Sequence, residues 1–296
     1  MSKYWYLSAG KMKVFSLGLL ILSVLAVNAH AQGILGTAGS FAVLGASTVT
    51  NTGATTLNAN VGVSPGTAVT GSGTITFTGA PGNNSIVSTS LAAAGQLEAT
   101  SAVSFITGLG SGLLVGPDLT GKTLSDTSAT NTVYDVGAVP FNIASGGNLT
   151  LNFNGDSGKN IIFVMSSTLI TGSGSSVTVI GANSTDNVFW EVGSSATLGT
   201  TTSFVGNIIA STAVTLDTGA TIGCGSVVAQ TAAVTMDHNT ISDTCSYGST
   251  TGTVTPTPTG PGTTVTVPEG GSTLLYLCSF LLPIGAMRAF RFRRSI

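Results

Sequence analysis

A mostly β chain wound as a solenoid is predicted by three features: a repeat near 19 residues, in–out alternation within it, and glycine-rich corners between short apolar stretches. Ile208-Ile209-Ala210-Ser211-Thr212-Ala213 aligns with Val227-Val228-Ala229-Gln230-Thr231-Ala232. After a one-residue slip, Val214-Thr215-Leu216-Asp217 aligns with Val234-Thr235-Met236-Asp237, and Thr221-Ile222 with Thr240-Ile241. Ala196-Thr197-Leu198 echoes the same block further upstream. A period of this length suits one coil with three sides of five to six residues each. On a strand, successive side chains point to opposite faces. Val214, Leu216 and Ile222 are therefore expected inside, with Thr215, Asp217 and Thr221 outside.

Other segments read as further coils. Ile161-Ile162-Phe163-Val164 and Val188-Phe189-Trp190-Glu191-Val192 are strands, and Phe41 to Phe77 has the same texture of Thr, Val and Gly in short runs. Residues 85–109 differ. They are rich in Ala, lack Pro and stop at Gly108 and Gly110, which predicts a helix with Leu91, Ala94, Ala102 and Phe105 on one side and Glu98 interrupting that stripe. Such a helix would pack alongside the solenoid and cover one of its sides.

The two ends have different compositions from the body. Lys3, Lys11 and Lys13, an apolar run from Val14 to Val27 and the small-residue site Ala29-His30-Ala31 form a secretory signal over 1–31. The folded domain is then expected over 32–247, ample for a core. Gly248 to Thr266 is a Gly/Pro/Thr linker with too few large apolar residues to fold alone. Val267-Pro268-Glu269-Gly270-Gly271, an apolar run from Leu274 to Met287, and Arg288, Arg291, Arg293 and Arg294 complete residues 267–296. This tail resembles the sorting signals of the PEP-CTERM class, with Pro-Glu-Gly in place of Pro-Glu-Pro. The resemblance implies an exosortase-type processing enzyme as a partner, a bacterial cell envelope or extracellular location, and membrane contact through the tail alone.

Charge and cysteine content narrow the function. Between Gln32 and Tyr247, Lys122 and Lys159 stand against ten acidic residues, a net charge of −8. Nucleic acid is excluded as a partner, because neutralising its phosphates takes a basic patch. Glycine, at 40 of 296 residues, is about twice as frequent as usual, and hydroxyls replace Lys and Glu as the polar surface. Cys224 and Cys245 are the only cysteines of the domain and are candidates for a disulfide in an oxidising compartment, worth roughly 3 kcal/mol. Two cysteines without histidine support predict no metal site and no cofactor. Asp217 and Asp237 lie one coil apart and could pair for acid–base chemistry. Both also sit in turn sequences, where Asp is routine, and His238 is the single histidine of the domain. A non-enzymatic role is expected.

Leu35-Gly36-Thr37-Ala38-Gly39-Ser40-Phe41-Ala42-Val43-Leu44 and Val61-Gly62-Val63-Ser64-Pro65, followed by Asn187 to Thr200, Phe204 to Ile208 and Thr212 to Ile241, resemble in order the blocks of the microbial ice-binding protein family. The resemblance spans nearly all of residues 33–245. It departs at Glu191, where Gln is commoner, and at Asn131-Thr132-Val133-Tyr134, which replaces a Pro-Gly turn. It implies a right-handed, discontinuous, triangular β-solenoid with one long helix packed alongside. It also implies binding of an ice crystal surface through one flat face, near which members carry a T-A/G-x-T/N motif.

That pattern occurs here at Thr52/Thr55, Thr67/Thr70, Thr212/Thr215 and Thr218/Thr221, and Thr231 and Thr235 extend the series by one coil. Residues two apart on a strand are about 7 Å apart and stacked coils about 4.8 Å apart, both near oxygen repeats in ice. These ten threonines are the candidate ice contacts. The contrasting expectation is a surface adhesion protein holding exopolysaccharide matrix, for which Thr is simply a soluble strand former.

Overall fold

The computed structural model describes residues 32–79, 85–88 and 90–245. The signal-like residues 1–31 and the linker and tail beyond Cys245 lie outside them. Strands are three to seven residues long in most cases, as expected where β-branched and apolar residues alternate with Thr between glycine-bearing corners. They stack into three parallel sheets of nine, seven and eight strands, here called A, B and C. In Phe41–Gly45, Thr48–Asn51 and Thr55–Leu57, one circuit of the chain gives one strand to A, then B, then C, and the next circuit begins at Asn60–Val63 on A.

The circuits do not stack in chain order. From Phe41–Gly45 the chain winds outward through Asn60–Val63 to Ile86–Ser88 at one end of sheet A. It then passes along the outside of that sheet, restarts at Leu113–Leu114 at the opposite end, and winds back. The last circuit docks on the first: Val43 pairs with Val227, Val49 with Val234, and Leu57 with Ile241. The connection must pass eight strand spacings, about 38 Å at 4.8 Å each, and a helix of 19 residues covers about 28 Å of it.

That helix is Ser90–Gly108, starting later than the sequence suggests because Ile86–Ser88 pairs with Val61–Val63 as a strand. Its buried stripe also differs from the expected one. Ala92, Gly95, Ala99, Ala102 and Ile106 face sheet A, while Leu91 and Phe105 are 38% and 47% exposed. The reason is closeness of approach: a Cβ on Gly95 would stand 3.0 Å from both Leu44 and Phe41 side chains. Small residues therefore take most of the contact, joined by Ile106, while Leu91 and Phe105 stay on the outer side, and Glu98 is exposed and interrupts nothing.

Inside the coils the inward residues form one continuous core. Trp190 stacks on Phe163 at 4.0 Å between ring centres, meets Phe141 edge-on at 5.3 Å, and donates its indole N–H to the Val205 carbonyl at 2.9 Å. Corners are closed by polar ladders. At the C-to-A corner Asn160 donates to Asn131 and Asn187 to Asn160, and Lys159 lies between Asp126 and Asp156 at 3.5 Å from each. Cys224 and Cys245 are joined as a disulfide at the same corner.

Candidate functional site

Sheet B is the side whose outer surface carries a regular chemical pattern. In Val214–Leu216, Val234–Met236 and Ala196–Leu198 the outer residues of the strand are buried and the central Thr points out, as period-two alternation requires. Register then aligns those threonines. Thr197 pairs with Thr215, Thr215 with Thr235, Thr235 with Thr50, and Thr50 with Thr70. The result is a column of five threonines on five consecutive coils, about 4.8 Å apart. The column continues through Ile170, 42% exposed, and Asn142.

Small residues flank this column. Two residues upstream of each threonine stand Ala68, Thr48, Ala233, Ala213 and Ser195, all small. Among the described residues none of the five hydroxyls of the column hydrogen-bonds to the protein. The helix covers sheet A instead, burying Ile162, Phe189, Ile209 and Val228 beneath it. A boundary follows at the B-to-C corner. There Asp237 accepts hydrogen bonds from Thr218 and from the ring of His238, at 2.6 Å for the latter. The Thr218 hydroxyl above all, then His238, hold its carboxyl below the usual range.

The ten threonines picked from the sequence separate into five places. Thr70, Thr215 and Thr235 are in the column. Thr67, Thr212 and Thr231 are exposed at the A-to-B corner, where Thr231 donates to the Ser211 carbonyl at 2.7 Å. Thr52 and Thr218 are exposed at the B-to-C corner, bonded to the Met236 carbonyl and to Asp237. Thr221 is outward on sheet C, between Ser203 and Thr240. Thr55 is 1% exposed; its hydroxyl donates to Asn51 at 2.7 Å and accepts the Asn239 amide, so it closes a corner from within. Thr50 and Thr197 join the column although no T-A/G-x-T pattern marks them. Their signal was alternation alone, in Thr-Val-Thr-Asn and Ala-Thr-Leu.

Asp217 and Asp237 occupy successive coils at the face's edge, with Asp237 engaged as above and the Asp217 backbone carbonyl accepting from Asn239. Among the described residues no group of three His, Cys, Asp or Glu is placed to hold a metal ion, and no helix is long and apolar enough to cross a membrane.

Fold and face together define a parallel β-solenoid that offers an uncharged column of threonine to its surroundings. The family model described as Ice-binding-like matches residues 43–242, and the chain belongs to that family. An ice-binding protein of Nostoc sp. (strain HG1) is 38% identical over 262 residues, covering 88% of each chain. Among solved structures, an ice binding protein from an Antarctic biological consortium matches at 33% identity with a TM-score of 0.62, over 70% of this chain and 89% of that one. The ice-binding protein of the Antarctic ascomycete Antarctomyces psychrotrophicus matches at 31% identity with a TM-score of 0.63, over 72% and 98%.

Proposed function

We propose that this chain binds ice crystals, without catalysis or cofactor, through the outer face of sheet B, and that the three sheets are the sides of a right-handed triangular solenoid. The observation that carries this reading is the unbroken column Thr70, Thr50, Thr235, Thr215 and Thr197, whose hydroxyls have no partner in the described protein. Each methyl limits competing hydration, and each hydroxyl anchors a water. Ladder hydrogen bonds between coils keep the spacing fixed, so water over the face is held in a pattern that can merge with a crystal. Rigidity matters because ordering cost is met on folding and not on binding. The corner threonines Thr52, Thr67, Thr212, Thr218 and Thr231 would extend the contact at its margins, and Thr221 would meet ice only from sheet C.

Export fits the same reading: the signal-like residues 1–31 would direct it, and a disulfide belongs to an oxidising compartment. The PEP-CTERM-like tail would be handled by an exosortase-type enzyme, which puts the domain at the envelope surface or beyond. Nothing in the comparisons favours exopolysaccharide as the ligand.

The test is ice recrystallisation inhibition and crystal shaping by purified residues 32–247, with a heat-unfolded control. Faceted crystals and small stable grains, lost on unfolding, are expected. Round crystals with normal coarsening at high protein concentration would overturn the reading.

A further inference from the structure

The threonine column of sheet B stops inside the sheet, and three further coils follow it. Leu169–Thr171 is the strand after Ala196–Leu198, and its central residue, Ile170, pairs with Thr197 on one side and Asn142 on the other. Leu169 and Thr171 turn inward and are buried, so Ile170 occupies the outward position where a sixth threonine would stand. Asn142 is outward in the same way, between buried Phe141 and Ile143. Beyond it the sheet ends in a single bridge from Asn142 to Asp118, whose neighbour Leu119 is buried in the core. After five threonines the outward positions are thus Ile170, Asn142 and Asp118.

The two ends of the column differ in how they hold water. The Thr70 end belongs to a stretch, residues 33–97, without a charged residue. At the other end Asp118 is exposed, and hydrogen bonds from the Thr120 side chain and then its amide, the latter at 3.0 Å, hold its carboxyl below the usual range. It is therefore ionised near neutral pH. An ionised carboxylate keeps a hydration shell of its own, which an ice-like layer would have to displace at a cost. Asp217 and Asp237 lie beside the threonines at the edge of the face, whereas Asp118 lies in the column itself. Between the two ends, Ile170 has threonine's branch at Cβ and one of its methyl groups, with an ethyl group in place of the hydroxyl. It packs against water without anchoring it. A lone exposed isoleucine calls for no explanation. This one is 42% exposed at the next position of a row of hydroxyls.

We propose that Ile170 closes the ice-contacting row: it confines anchored water to five coils and separates that water from the polar end at Asn142 and Asp118. This rests on the ice reading of sheet B and adds to it the length of the contact, four coil spacings or about 19 Å. Row length decides strength, because each further hydroxyl on a preformed sheet adds hold on the crystal with little new ordering cost. A hydroxyl at position 170 would continue the row at the same spacing of about 4.8 Å, since the strand pairing there is already in register with Thr197.

The experiment compares recrystallisation inhibition and crystal shaping by the purified full chain with those of Ile170→Thr and Ile170→Val. Val has the outline of Thr with a methyl in place of the hydroxyl, so it reports the effect of side-chain size alone. Ile170→Thr should lower the concentration needed for inhibition about fivefold, the order of one further hydrogen bond, while Ile170→Val stays within about twofold of the unaltered chain. Circular dichroism and melting should be the same for all three, which a structural role for Ile170 would not allow. Adding Thr215→Tyr with Thr235→Tyr to Ile170→Thr should abolish the gain, because a single hydroxyl beside a blocked row has nothing to extend. Unchanged or weaker inhibition by folded Ile170→Thr, or an equal gain from Ile170→Val, would overturn the closing role and leave ice binding by sheet B standing. A gain that survives the two tyrosines, or an unaltered chain that does not shape ice, would remove the ice reading of sheet B and this inference together.

Discussion

Sheets B and C are nearly equal in threonine content and unequal in what their hydroxyls are free to do. Sheet C carries its own outward column: Thr76, Thr56, Thr240, Thr221, Ser203 and Ser176 follow one another in register. Yet its run is broken. Thr221 donates to the Thr202 carbonyl at 3.4 Å, Ser176 and Thr178 both donate to Asn148 at 2.8 Å, and Asn148 donates to Thr150. The residues leaving Ile241 lie against Asn58 beside the same column. On sheet B five consecutive hydroxyls have no partner among the described residues. Composition alone therefore does not define a face for ice. A hydroxyl already satisfied by the protein has less to offer an ordered water, and one gap halves the length of a matching row.

The sharpest way to break this comparison is to block each side in turn. Thr215→Tyr with Thr235→Tyr should raise the concentration needed for recrystallisation inhibition at least about tenfold while circular dichroism and melting stay unchanged, because both residues sit at the middle of the column. Thr221→Tyr with Thr240→Tyr on sheet C should change it by no more than about twofold, since distant sites act independently. Equal losses from the two pairs would show that both sides contact ice.

Removing the disulfide asks whether sheet C's end can loosen without disturbing sheet B. Cys224→Ser with Cys245→Ser should cost about 3 kcal/mol for a span of this length. Hydrogen exchange should locate the added opening at Thr240–Ile241, and ice shaping near 0 °C should persist. Loss of shaping in a protein that still folds would tie the two sides together.

The smallest effect is expected on the covered side. Glu191 is 7% exposed on sheet A, and burial holds its carboxyl above the ordinary glutamate range. The folded state thus binds its proton more tightly than the unfolded chain. The resulting penalty is absent below the ordinary range and grows as pH rises towards the raised folded value. Glu191→Gln should raise the melting temperature slightly at pH 7, have no effect near pH 4, and leave ice activity alone at both. An activity change would mean that sheet A communicates with sheet B.

The sequence by itself determined what depends on near neighbours. Alternation put Val214, Leu216 and Ile222 inside and Thr215 outside, the 19-residue repeat is the step from Ile208 to Val227 in the last coils though earlier ones such as Ile161 to Val188 are longer, and the lone cysteine pair matches the observed bond. Only the tertiary structure decided what depends on stacking between distant segments. Thr50 and Thr70 lie some 165 residues or more before Thr235, and nothing local says they share its column; docking of the last circuit on the first does. The same holds for the T-A/G-x-T pairs. Three residues carry a chain off a corner, so one threonine of such a pair sits at the corner and the other on the strand that follows, and Thr55 turns inward where the corner between Asn51 and Thr56 needed a buried hydroxyl. The helix repeats the lesson. Its own sequence suggested a stripe through Leu91, Ala94, Ala102 and Phe105, but the strand layer packed close beneath it takes Ala92, Gly95, Ala99, Ala102 and Ile106 instead, and that choice is made by the partner surface.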